Sequence, residues 1–165
     1  MAIITLKGEQ TDTLGELPAV GSKAPDFELV KGDLSDVALE DFKGQTVLLN
    51  IFPSIDTGVC QKSVRAFNEK ATSVENVTIL TVSADLPFAL TRFCEAEGLD
   101  KVIPTSCFRS TFPSDYELEI ISGPLCGLCS RVIIIIKDGV ITYTEQVPEI
   151  AQEPDYEAAI QALSL

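Results

Sequence analysis

Histidine is absent from the 165 residues of this sequence. Without an imidazole there is no Ser-His or Cys-His catalytic pair, and no zinc site that depends on histidine. Basic residues are scarce: 12 Lys and Arg stand against 25 Asp and Glu, a net charge of −13. A surface of that sign repels phosphate backbones and anionic bilayers, so neither nucleic acid nor membrane is expected as a partner. No apolar run approaches the roughly 20 residues that a membrane-spanning helix needs. The opening stretch MAIITLKGEQTD has no basic region followed by an apolar one. A secretory signal is therefore not expected, and a cytoplasmic location is. The five cysteines (Cys60, Cys94, Cys107, Cys126 and Cys129) are odd in number. An odd count without a signal argues against a structural disulfide framework and for reactive or simply buried thiols.

What is present is an ordinary globular composition, 45% hydrophobic and 22% charged, with a length that suits one domain over residues 1–165. The first thirty residues alternate in short runs broken by Gly and Pro, which reads as a β-hairpin followed by an extended arm. Thr46 to Phe52 (TVLLNIF) and Val77 to Ser83 (VTILTVS) are apolar, β-branched runs expected to be buried strands. Between them the spacing becomes helical from Val59 to Ala71, with Val64, Phe67 and Ala71 three and four apart. LPFALTRFCEAEG predicts a second helix, opened by Pro87 and stopped by Gly98. RVIIIIKDGVITYTEQV predicts two strands turning at Asp138-Gly139. EPDYEAAIQAL predicts a last helix with Pro154 in its first turn and Tyr156, Ile160 and Leu163 on its apolar face. Strands alternating with helices imply an α/β sheet with helices on both faces.

FPSIDTGVC is the stretch with chemical promise. Pro53 removes a ladder donor and ends the strand. Ser54, Asp56, Thr57 and Gly58 are turn and cap residues. Cys60 then falls in the first helical turn, where free N–H groups and the positive end of the dipole favour thiolate over thiol. Taken alone, a cysteine is more often a small buried apolar residue. Thr57 alone reads as a cap, Arg131 alone as an ion pair, and Cys94 as a thiol packed beside Phe93. An arginine leading directly into VIIIIK is nonetheless at odds with a surface role.

PSIDTGVC matches the P-x-x-x-T-x-x-C signature of peroxiredoxins. The wider chain resembles their atypical two-cysteine branch, the bacterial thiol peroxidases, through VGSKAPDFELV, DFKGQTVLLNIFPSIDTGVC, SVRAFNEKA, VSADLPFALTRFCEAEGL, GPLCGLCSRVIIIIKDG and VPEIAQEPDYEAAIQAL. The resemblance implies a thioredoxin-like fold, with a central mixed β-sheet flanked by helices and an N-terminal β-hairpin. It implies that Cys60 attacks hydrogen peroxide or alkyl hydroperoxides, and that Thr57 hydrogen-bonds thiolate and peroxide. Pro53 would shield the thiolate, and Arg131 would stabilise thiolate and transition state. Cys94 would resolve the Cys60 sulfenic acid into a Cys60–Cys94 disulfide. It implies thioredoxin as reductant, a homodimer, and no metal or other cofactor. Because Cys60 and Cys94 lie on different helices, local unwinding is expected during turnover.

Three cysteines fall outside that pattern. Cys126 and Cys129 form C-x-x-C ahead of a strand, whereas a thioredoxin motif follows one. With Cys107 they are expected to be small, buried or partly buried side chains, the alternatives being a second dithiol or a metal site. Glu95 beside Cys94 is expected to raise that thiol's pKa. Two other function classes stay open from the residues: a peroxide-sensing redox relay using the same disulfide, and a thioredoxin-fold protein with inert cysteines.

Overall fold

The computed structural model describes residues 1–164; Leu165, the last position of the expected domain, lies outside the described residues. In chain order the strands are β1 (Ile3–Leu6), β2 (Glu9–Asp12), β3 (Glu28–Lys31), β4 (Asp36–Ala38), β5 (Thr46–Ile51), β6 (Val77–Ser83), β7 (Ile103–Ser106), β8 (Val132–Lys137) and β9 (Val140–Gln146). The helices are α1 (Gly58–Lys70), α2 (Pro87–Glu97), the single turn α3 (Phe112–Asp115) and α4 (Tyr156–Leu163). β1 and β2 form the expected separate hairpin, and the other seven strands make one mixed sheet in the order β4-β3-β7-β6-β5-β8-β9.

β5, β6 and β7 are parallel, and β8 returns antiparallel beside β5. The side chains of β5 alternate between two cores. Val47, Leu49 and Ile51 face one that also holds Val82, Ile134, Phe27, Phe112 and Tyr116. Leu48 faces the other, which holds Val64 and Phe67 of α1, Leu90 and Cys94 of α2, and Ala159 of α4. The three longer helices therefore share one face of the sheet, and only the single turn α3 lies on the other, so the expected helices on both faces are unequally divided. The reason is topological. The crossovers β5-α1-β6 and β6-α2-β7 advance in the same direction along the sheet, and parallel crossovers are right-handed, so both helices land on one side. The N-terminal arm and α3 cover the opposite face.

Smaller differences have local causes. β5 ends at Ile51 rather than Phe52, although the Phe52 N–H still donates to Val82 O at 3.1 Å. Pro154 stands outside α4, immediately ahead of the cap Asp155, whose carboxylate accepts from the Ala158 N–H at 3.0 Å. Tyr156, Ala159, Ala162 and Leu163 pack inward from α4, and Ile160 is only half-buried. β3, β4 and β7, of four residues or fewer, had no periodicity to mark them.

The turn between β8 and β9 is as expected: Asp138 and Gly139 both lie in the left-handed region, at φ 48° and 77°. Among the described residues nothing lies within 4 Å of where a Cβ on Gly139 would be, so alanine there meets backbone strain rather than a neighbour. Gly139→Ala is expected to lower stability by about 1 kcal/mol, read as a lower urea midpoint with unchanged slope.

Candidate active site

Cys60 is fully buried in the first turn of α1, behind the N-cap Thr57. The first helical bond runs from the Gln61 N–H to Thr57 O at 3.0 Å, which leaves the earlier N–H groups at the end where Cys60 sits. The Thr57 hydroxyl does not cap the helix; it donates to Ser54 O at 3.0 Å. Pro53 is buried in the same loop.

Arg131 reaches Cys60 from the residue before β8. Along that strand Ile133 and Ile135 face the α1 side of the sheet, and alternation places Arg131 on the same side. Its guanidinium is buried at 2% exposure. Nη2 donates to Cys60 Sγ at 3.4 Å and Nε to Ile150 O at 2.8 Å. Nη1 is buried with no partner among the described residues. None of the ion pairs among the described residues involves Arg131. A buried guanidinium without a carboxylate is costly to desolvate, and the side chain that faces it here is Cys60.

The loop between β5 and α1 is fastened by a residue that the sequence reading did not single out. Asp85 accepts from the Ile55 N–H at 2.7 Å, the Ser54 hydroxyl at 2.8 Å and the Ser83 hydroxyl at 2.5 Å. Its own carbonyl accepts from the Ser106 hydroxyl. Hydrogen bonds to a charged acceptor are the stronger kind, about 1.5–3 kcal/mol each. From beneath α1, Asn50 Nδ2 donates to Ser63 Oγ at 3.2 Å, and that hydroxyl donates to Cys60 O at 2.7 Å. Asn50 was detectable as the one polar residue within the apolar run VLLNIF; Asp85 follows a strand end, where an acid carries no signal of its own.

Cys94 lies in the last turn of α2, in the same apolar core as Cys60, and both thiols are free. Gly98 closes α2 in the left-handed region at φ 68°, and the Leu99 N–H ties back to Cys94 O at 2.8 Å. An exposed Arg65–Glu97 ion pair joins α1 to α2, with the Arg65 guanidinium 5.3 Å from the centre of the Phe93 ring. Burial pushes the Cys94 thiol up to about 11. Burial alone accounts for this; exposed Glu95 contributes nothing, which corrects the expectation placed on it.

Of the remaining cysteines, Cys107 and Cys129 are buried as expected and Cys126 is not. Cys126 is exposed, whereas a buried or partly buried side chain was expected. Cys129 is fully buried with its sulfur 3.7 Å from that of Cys107, so the C-x-x-C spacing does not identify the pair that packs together. No group of three or more His, Cys, Asp or Glu side chains suited to a metal occurs among the described residues.

Comparison with known proteins gives a consistent result. The redoxin family model matches residues 19–160. A thiol peroxidase of Mycobacterium bovis (strain ATCC BAA-935 / AF2122/97) is 56% identical over 164 residues, 99% of each chain. A thiol peroxidase of Corynebacterium glutamicum is 51% identical over 165 residues, 99% of this chain and 100% of that one. The crystal structure of a peroxiredoxin-like protein from Aquifex aeolicus superposes with a TM-score of 0.93 at 34% identity, covering 99% of this chain and 96% of that one.

The elevated Cys94 thiol gives a pH signature. Folded Cys94 keeps its proton to about pH 11, whereas an unfolded thiol loses it near about 8.5. Between those values the unfolded chain binds fewer protons, so this contribution to stability is complete below about pH 8.5 and is lost as pH rises through about 11. Alkylation of Cys94 in the reduced chain is expected to titrate with a midpoint near 11, and Glu95→Gly is expected to leave that midpoint in place.

Proposed function

The chain belongs to the redoxin family, in its thiol peroxidase branch, and from that premise we propose that it reduces hydrogen peroxide and alkyl hydroperoxides through Cys60, with Cys94 as the resolving thiol. The observation that carries this reading is the buried contact of Arg131 Nη2 with Cys60 Sγ at 3.4 Å. It sets a fixed cation and a helix N-terminus against a single sulfur.

In the first step the Cys60 thiolate attacks one peroxide oxygen. An S–O bond forms, the O–O bond breaks, and the departing oxygen leaves with a proton as water or alcohol. Charge grows on the two oxygens as the bond stretches. Arg131 Nη1, buried and unpartnered among the described residues, is a donor available to that charge. Thr57 joins it when its hydroxyl turns away from Ser54 O. Pro53, with no N–H to offer, keeps the loop wall beside the sulfur free of a competing donor.

In the second step Cys94 attacks the Cys60 sulfenic sulfur, water leaves, and a Cys60–Cys94 disulfide closes. Cys94 sits in a helical turn and Cys60 in another, so the last turn of α2 unwinds to bring it over. That turn is a suitable place, since it is held at its end by the Gly98 cap and the exposed Arg65–Glu97 pair, both weak constraints. Unwinding also frees Cys94 from the burial that holds its proton. A dithiol protein of the thioredoxin class then returns two electrons by thiol–disulfide exchange.

The same reading takes residues 1–165 as one domain, working in the cytoplasm as a homodimer without metal or other cofactor. Leu86 and Phe88, 53% and 61% exposed at the start of α2, are apolar positions open to a second copy. No helix among the described residues is long and apolar enough to cross a membrane.

The test is peroxide consumption by wild type, Cys60→Ser and Cys94→Ser with thioredoxin, thioredoxin reductase and NADPH. Wild type is expected to turn over, Cys60→Ser to consume nothing, and Cys94→Ser to consume one equivalent without cycling. Peroxide consumption by Cys60→Ser contradicts the reading. Slow wild-type turnover despite rapid formation of the disulfide would move it to a redox relay.

A further inference from the structure

Cys107 and Cys129 are not used by the proposed cycle, yet they are the thiols in direct contact. Their sulfurs lie 3.7 Å apart, and both side chains are buried, at 3% and 0% exposure. They belong to the core on the face of the sheet opposite Cys60 and Cys94. We propose that Cys107 and Cys129 are a second redox dithiol, closing to a disulfide under hydroperoxide independently of Cys60 and Cys94.

The backbone at both positions is already held. The Cys107 N–H donates to Ser83 O at 2.9 Å, at the end of β7. Cys129 bridges Glu119, and the next residue donates its N–H to Leu118 O at 3.0 Å. A disulfide needs sulfurs about 2.05 Å apart, so closure is an approach of under 2 Å by two side chains. No other thiol lies in this core, so a sulfenic acid formed at either sulfur has the other as its partner.

The oxidant is the peroxide of the family's own reaction; to that extent the proposal rests on the function proposed above. Cys107 takes one oxygen, forming an S–O bond as the O–O bond breaks and water or alcohol departs. Cys129 then attacks the Cys107 sulfur, the S–O bond breaks, and a second water leaves. Two thiols supply two electrons and one peroxide accepts them. The residue after Cys107, Phe108, is 43% exposed, so solvent lies within one residue of that thiol. The hydrogen bond shared with Cys107 and burial hold Cys129 firmly as a thiol, so this pair is expected to oxidise slowly and to respond to excess peroxide. The bond would fasten the end of β7 to the segment that carries Arg131.

The test uses the full chain carrying Cys60→Ser, Cys94→Ser and Cys126→Ser, treated with excess hydrogen peroxide, then unfolded and alkylated. Trypsin cuts after Lys101, Arg109 and Arg131, so a Cys107–Cys129 bond joins two separate peptides. The expected result is that linked pair, no alkylated thiol, and a melting temperature roughly 5 °C or more above the reduced sample. Two alkylated thiols, or Cys107 and Cys129 separately oxidised to sulfinic acids, overturn the proposal. Should the triple variant fail to fold, Cys126→Ser alone is mapped the same way, and absence of the linked pair there overturns it equally. Because these variants differ from those that test the Cys60–Cys94 cycle, either claim can fail without the other.

Discussion

A buried guanidinium facing a buried sulfur is the contact on which the rest of this structure depends. Removing a charge from water costs several kcal/mol even after relaxation, and among the described residues Arg131 is in no ion pair with a carboxylate. Two groups hold it: Ile150 O and Cys60 Sγ. The first of these explains the N-terminal hairpin. The Ile150 N–H donates to Thr5 O at 2.8 Å and the Thr5 N–H to Pro148 O at 2.8 Å. The Glu149 carboxylate accepts from the Gly8 and Ala151 N–H groups, at 2.9 and 2.7 Å. Those donors hold Glu149 at about 2, well below the usual carboxylate range. The small separate sheet thus fixes the carbonyl that aims the arginine.

The second group, the sulfur, is fixed from the other direction. β5 delivers the chain to the loop, Asp85 fastens the loop through Ile55 and Ser54, and Asn50 with Ser63 anchors the Cys60 carbonyl. Each side chain therefore arrives on its own rigid support, as a preorganised site requires. Cys94 is placed differently. It rides on a helix end whose cap and surface ion pair are weak, so the moving partner of the proposed cycle is also the more loosely held one.

Much of this was legible in the residues because it rests on periodicity and turn chemistry. Long apolar strands, the Asp138-Gly139 turn, the Gly98 stop and the start of α1 at the Pro53-to-Cys60 turn are all local signals. Arg131 was legible only in part: its place ahead of the buried VIIIIK run was at odds with a surface role, and its role at the site came from the family resemblance. What could not be read was non-local. Three short strands carry too few residues to show a period, and the face of each helix follows from strand order. Asp85 matters only because three donors converge on it. The Cys107–Cys129 contact joins segments that no spacing rule relates, and the C-x-x-C motif pointed to the wrong partner.

Stopped-flow mixing of reduced chain with hydrogen peroxide, in wild type, Arg131→Met and Arg131→Lys, tests the central contact most directly, with urea unfolding on the same samples to show that each is folded. Loss of a charge-stabilising donor of this kind costs roughly 10²–10³ in rate. The account expects a fall of that size in sulfenic acid formation for Arg131→Met, and a smaller one for Arg131→Lys, which keeps a charge but not the forked geometry. A folded Arg131→Met chain that reacts with peroxide as fast as wild type would contradict it.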